Sequence, residues 1–169
     1  MSQPTRLTGA QETSLAIAAA VVTANAYYIH PIIAEVADYF GVSHSRIGLV
    51  PALNQIALAV GIFLLLPLGD RISNRRLTIT FAAGQTASIA LMAIAQGFTL
   101  FVIGSTMLGF FTIAPYLLPA YASKRVAPER LGQVTAKLAA GVILGILIAR
   151  VGAGVVAEHF GWRMIYWIA

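Results

Sequence analysis

Cysteine is absent from this 169-residue chain, and charge is scarce: six acidic and eleven basic residues make up 10% of it. Without cysteine there is no disulfide framework, no thiolate nucleophile and no cysteine-based metal site. His30, His44 and His159 fall in separate segments, so no histidine metal cluster is predicted. No P-loop or dinucleotide-binding glycine pattern occurs, which argues against a nucleotide-driven pump and against dinucleotide chemistry. Glu35 and Asp38 are the only closely spaced carboxylates, and they fall in a predicted loop where a solvated pair is the ordinary case. Soluble enzyme chemistry and a bound cofactor therefore find no support. Linkers and low-complexity tracts are missing too. No basic patch is interleaved with aromatic residues, so a nucleic-acid partner is not expected.

What the chain has is apolar length. It is 59% hydrophobic, with a mean hydropathy of +0.82, more apolar surface than one soluble core of this size can bury. The few charges are bunched and leave long clear runs: 22 uncharged residues over 13–34, 23 over 47–69, 47 over 77–123, and 20 over 138–157 broken only by Arg150. A hydrocarbon core of about 30 Å needs about 20 helical residues. The run of 47 is right for two crossings with a turn at Gln96–Thr99, so five full spans are predicted. A sixth begins near Met164 and stops at Ala169. The predicted loops are 35–46, 70–76, 96–99, 124–132 and 158–163.

Charge placement sets an orientation. With the N-terminus in the cytoplasm, one side holds Arg6, Arg71, Arg75, Arg76, Lys124, Arg125, Arg130 and Lys137, and the other only Arg46 and Arg163. Eight against two in short loops is a positive-inside signal, and it predicts a multi-pass protein of the cell (inner) membrane. The net charge of +5 then reflects topology and the lipid bilayer as partner. Ala24-Asn25-Ala26 resembles a signal-peptidase site, but Glu12 abuts the apolar run and that run continues to Ala34, so a retained span is predicted.

Shifted by 84 residues, the chain matches itself. Between 29–62 and 113–146 nine positions are identical without a gap, among them Pro31 with Pro115, Arg46 with Arg130, Gly48 with Gly132 and Gly61 with Gly145. The period holds three spans, so the second copy crosses the bilayer in the opposite sense, as in the inverted repeats of secondary transporters. The predicted fold is an all-α transmembrane helix bundle: two inverted three-helix repeats, about 13–96 and 97–169, with five full spans and a truncated sixth. Pro31 and Pro115 are expected to bend spans 1 and 4 at equivalent places. Gly141 with Gly145, and Ala57 with Gly61, have the small-xxx-small spacing of close helix packing.

The loop after the second span carries a family likeness. Leu68-Gly69-Asp70-Arg71-Ile72-Ser73-Asn74-Arg75-Arg76 resembles the G-x-L-a-D-R-x-G-R-R signature of the major facilitator superfamily. Leu66, Ser73 and Asn74 stand where that signature has its two glycines and the first of its final bases. The fifth span and its exit, Gly145 through Arg163, are similar to the drug and metabolite exporters of that superfamily, with Ala149-Arg150 in place of their Gly-Pro pair. Ser105 occupies the place of an arginine common in the fourth span. The resemblance covers the whole chain but only the N-terminal half of such a transporter, which typically has twelve spans. It implies gradient-driven, proton-coupled efflux of a small solute, a missing C-terminal half as partner, and a latch in which Asp70, Arg71 and Arg75 engage that half. It also implies that helices 1, 2, 4 and 5 line a central pathway.

Polar residues inside the spans name candidates for that pathway. Asn25 and Tyr28 are three apart on the first span, with His30 just before Pro31; Thr112 and Tyr116 flank Pro115; Asn54 and Gln55 lie on the second span. Arg150 lies 13 residues beyond Lys137, about 20 Å along a helix, and so past the midplane. A charge there faces a partner or a wet cavity, or snorkels to the interface. Tyr27, Tyr28, Tyr39 and Phe40 are read as an interfacial aromatic belt. Two function classes follow: half of a secondary transporter, expected to need a second bundle for coupled transport, or a non-transporting membrane fragment or interaction subunit.

Overall fold

The computed structural model describes residues 7–169, without the side chains of Asp70 and Asn74; Arg6 lies outside the described residues. Among these the chain is helical throughout, and five stretches are long and apolar enough to cross a membrane. Span 1 is α1 (Gly9–Asn25) and α2 (Ile29–Phe40); span 2 is α3 (His44–Ile47), α4 (Leu49–Leu65) and a 3-10 turn at Leu66–Asp70. Span 3 is α5 (Asn74–Ile94), and span 4 is α6 (Phe98–Phe111) with α7 (Ala114–Ser123). Span 5 is the unbroken α8 (Pro128–Phe160), followed by α9 (Trp162–Ile168). With no water in the bilayer core to satisfy backbone groups, helices with short links are the form these apolar runs must take.

The helices run further than the apolar runs. α2 continues past Glu35 to Phe40, α5 begins at Asn74, and α8 extends from Pro128 to Phe160. The predicted loops 35–46, 124–132 and 158–163 shrink accordingly, because charged residues wind into the last turns and capping residues stop them. Gly41 ends α2 at φ 60°, a left-handed position that suits glycine. Ser43 accepts from the Arg46 amide to start α3, and at Thr8 and Gln11 a reciprocal capping box starts α1. Ala24, Asn25 and Ala26 are all buried in the bundle.

Spans 1 and 4 are broken near their middles, whereas span 2 changes only near its ends, at Gly48 and Leu66. Pro31 has no N–H for the Tyr27 carbonyl four residues earlier. That carbonyl instead receives the His30 amide at 3.4 Å and, in the tautomer protonated there, His30 Nδ1 at 3.2 Å. In span 4 the break falls at Thr112 and Ile113, ahead of Pro115; the Thr112 amide bonds to the Gly109 carbonyl and the Tyr116 amide to that of Ile113. Each interruption thus lies just ahead of its proline.

Two parallel seams carry most of the packing: span 1 on span 5, and span 2 on span 4. A Cβ on Gly141 would strike the Ala16 carbonyl, on Gly145 that of Ala20, and on Gly109 that of Asn54. Backbones approach this closely only where a side chain is missing. Exchanging repeats exchanges one seam for the other. The 84-residue offset does not carry over to individual contacts, however: Gly145 meets Ala20, whereas Gly61 meets Phe110 and Ile113, more than a turn further along span 4 than the offset places it. Span 3 packs on span 4 and on α9.

The largest buried cluster sits at the end opposite the basic loops, around Ile32, Val36, Val50, Met92, Phe101 and Ile165. Trp162 packs against Tyr39, Phe40, Phe101 and Tyr166 above it. Arg163 lies over the rings of Tyr39 and Trp162, each 4.7 Å away, and donates to the Ala93 and Ala95 carbonyls where α5 ends. Arg46 lies 5.3 Å over Phe98. Both basic residues of this end are held on aromatic faces. Of the residues read above as interfacial, Phe40 packs against this cluster, while Tyr39 meets the Trp162 ring edge-on and stays 55% exposed.

Candidate functional site

The polar candidates separate into two groups. Asn25, Asn54 and Thr112 are buried and engaged between helices. Asn25 Nδ2 donates to Gln85 Oε1 at 3.5 Å, Gln85 Nε2 donates to Thr112 Oγ1 at 2.8 Å and to the Val22 carbonyl at 3.3 Å, and Thr112 donates to the Leu108 carbonyl. This ties spans 1, 3 and 4 together beside both breaks. Asn54 Nδ2 donates to the Ser105 carbonyl at 2.7 Å, and Ser105 Oγ to that of Val50. Asn54 Oδ1 and Thr23 Oγ1 are buried without a partner. Ser105, standing where the family often has arginine, is a seam residue.

The second group lies on open surface. Tyr116, Gln55 and Arg150 are exposed, and Tyr27, Tyr28 and His30 are half-buried. His30 stacks on Tyr27, ring centres 5.4 Å apart at 20°, and the Arg150 guanidinium lies 5.8 Å over the same tyrosine. Tyr27, His30 and Arg150 therefore meet at the break in span 1, with contributions from spans 1 and 5, while Tyr116 is exposed beside the break in span 4. Tyr28 does not join them. It turns to an apolar cavity of about 310 Å³ between span 1, span 5 and α9, beside Ala24, Gly145 and Ala149. Gln55 is turned away from its neighbour Asn54.

The expectation that Asn25 and Tyr28 share a face fails because the helix is interrupted between them, and Thr112 and Tyr116 part for the same reason. Tyr27, assigned above to an interfacial belt, is the centre of the open cluster. Gln85 was not anticipated, although an amide midway along an otherwise apolar span is a signal for a buried hydrogen bond. Glu12 was read only as a boundary. It is 5% exposed and accepts from Arg130 Nη2 at 2.8 Å, joining the start of span 1 to the start of span 5.

At the basic end, Leu66–Asp70 forms the 3-10 turn, and Gly69 lies so close to Leu117 that a Cβ would sit 3.0 Å from its side chain. Arg71 is exposed; Arg75, also exposed, borders a groove of about 460 Å³ with Leu15, Pro115 and Tyr121. Arg125 lies 4.0 Å over the Tyr121 ring. The Asp70 side chain, central to the predicted latch, is outside the described residues. No group of histidines and carboxylates placed to hold a metal occurs among the described residues.

Apolar spans broken at prolines, with polar and charged groups collected at the breaks, are the build of polytopic secondary transporters. The Major Facilitator Superfamily profile matches residues 15–169. The chain belongs to that superfamily. It is 30% identical over 155 residues to the "Putative uncharacterized transporter YgaY" of Escherichia coli strain K12, an alignment covering 92% of this chain and 39% of that protein. It is 28% identical over 152 residues to the "Probable transporter SCO4007" of Streptomyces coelicolor, covering 90% of this chain and 35% of that protein. The chain thus spans well under half the length of the curated relatives it matches. No solved structure matches it.

Proposed function

We propose that this bundle forms one wall of the solute pathway of a secondary transporter, working against a second bundle in a proton-coupled exporter of the inner membrane. The N-terminus lies in the cytoplasm in this reading, as the basic loops ask. Membership of the superfamily and likeness to proteins named as transporters support transport as the activity. The observation that carries the pathway is the junction at the break in span 1, where Tyr27, His30 and Arg150 sit on open surface instead of in a seam, with Tyr116 exposed beside the break in span 4. A guanidinium inside a span is costly in lipid, and its cost falls in a water-filled cavity. Asp70, Arg71 and Arg75 form the latch toward the second bundle, and the solute passes between the two bodies.

The absence of cysteine offers a direct test. Single cysteines at Tyr27, Gln55 and Tyr116 are expected to react with a membrane-impermeant maleimide, while one at Phe63, which is 81% exposed on the apolar face of span 2, stays unreacted. In the same background Gly97→Cys labels from outside the cell and Ser73→Cys does not. A Tyr116→Cys as inert as Phe63→Cys would remove the pathway, and labelling of Ser73→Cys from outside would reverse the orientation.

A further inference from the structure

The donors and acceptors at the break in span 1 are badly unbalanced. Arg150 brings five N–H donors, and among the described residues it makes no ion pair and no hydrogen bond; its one recorded contact is the face of Tyr27. A ring face attracts the charge without occupying the N–H groups. His30 uses Nδ1 on the Tyr27 carbonyl and leaves Nε2 free of any protein partner. The phenol of Tyr27 adds a hydroxyl. Carboxylates are missing: Glu12 is bound to Arg130 at the basic end, and Glu35, on the solvent side of Pro31, makes no ion pair with Arg150. The cluster is rich in donors, positively charged and walled by aromatic rings.

We propose that this junction receives the anionic group of a small, flat organic anion, with Arg150 meeting the charge and Tyr27 and His30 flanking the apolar body. This rests on the pathway reading above and gives it a substrate class. The planar guanidinium fork suits a carboxylate or similar oxyanion and is pre-set by the tyrosine beneath it. A cationic solute would meet like charge and find no carboxylate to hold it. The same chemistry is also offered by a lipid phosphate, toward which an arginine at this depth extends when it snorkels.

Benzoate, benzamide and benzamidine share one shape and carry negative, no and positive charge, so they isolate the charge preference. Calorimetric titration of the protein in lipid nanodiscs is expected to show benzoate binding about tenfold or more tighter than the other two. Arg150→Gln should bring the three within about threefold, and Arg150→Lys, keeping charge without the fork, should lie between. Equal or tighter benzamidine binding, no benzoate binding, or an unchanged benzoate affinity in Arg150→Gln would overturn the assignment. Nanodiscs of uncharged glycolipid form a second arm: the same benzoate affinity there as in phospholipid supports a solute site, whereas benzoate binding only when phosphate is absent assigns the guanidinium to headgroups. Failure of the pathway itself reads differently. Arg150-dependent benzoate binding with an unreactive Tyr116→Cys keeps the anion site and removes the pathway; a reactive Tyr116→Cys without benzoate preference does the reverse.

Discussion

The seam between spans 1 and 5 and the seam between spans 2 and 4 solve one packing problem in two ways. Both are parallel, and in both a glycine lets backbones meet: Gly141 and Gly145 on Ala16 and Ala20, Gly109 on Asn54. Among the described residues the first has no side-chain hydrogen bond along its middle. Its polar link is at the basic end, where Arg130 reaches Glu12. The second is keyed at mid-span by Asn54 on the Ser105 carbonyl and Ser105 on that of Val50. Lipid offers helices no hydrophobic drive to associate, so small residues supply close van der Waals contact and polar groups fix rotation and register. The first seam is held in register from one end, the second from its centre. Arg150, with its aromatic neighbours, lies on open surface beside the seam whose middle lacks that key.

The largest effects should come from filling either seam. Gly109→Val and Gly145→Val each place a side chain into facing backbone that cannot yield, and each is expected to cost about 3 kcal/mol or more. Denaturant titration in mixed micelles measures this, with Gly97→Ala and Gly132→Ala, whose added Cβ meets nothing within 4 Å, as controls. Tolerance of Gly145→Val alone would mean that the first seam opens readily while the second does not.

The end link comes next. Arg130→Ala leaves the Glu12 carboxylate buried and unpaired, whereas Glu12→Gln leaves an arginine whose side chain is 53% exposed and keeps its water. We expect Arg130→Ala to cost about 1–2 kcal/mol, below the range for a fully buried pair because one partner is solvated, and Glu12→Gln to cost less. The reverse order would mean that the pair is not what joins these helix starts. The smallest effect is expected from Asn54→Leu, about 0.6 kcal/mol, typical of a hydrogen bond between membrane helices. Its Oδ1 already lacks a partner, so losing the amide also removes an unsatisfied atom. A cost equal to that of Gly109→Val would make the polar key, and not the close approach, the basis of the second seam.

Much of this was legible beforehand because lipid leaves few choices. Apolar runs of about 20 residues bounded by arginines become spans, and a proline inside such a run removes a helix hydrogen bond and can break the helix. Pro31 and Pro115 do so, whereas Pro119 stays inside the uninterrupted α7. The glycine pairs were legible as packing signals without their partners. The site was legible only as a set of residue types. Helical spacing put Tyr28 with Asn25, but spacing rules hold only along an unbroken helix, and the interruption at Ala26–Tyr28 turns Tyr27 to Arg150 and Tyr28 to the opposite cavity. Gln85 was overlooked because the pathway was expected on spans 1, 2, 4 and 5, yet this span 3 residue bonds to both spans that are broken near their middles.

The sequence by itself determined the number of spans, the placement of the breaks and the basic asymmetry, because each follows from the local cost of putting backbone or charge into hydrocarbon. The motif at residues 68–76 carried the likeness to the family. Only the tertiary structure decided which polar residues are spent on holding helices together and which stay open. That depends on how each helix is rotated against its neighbours, and rotation is set by contacts between residues far apart in the chain. Asn54 is fixed by Ser105 and Gln85 by Thr112, while Arg150 finds only the ring of Tyr27 and keeps its hydrogen-bond donors free.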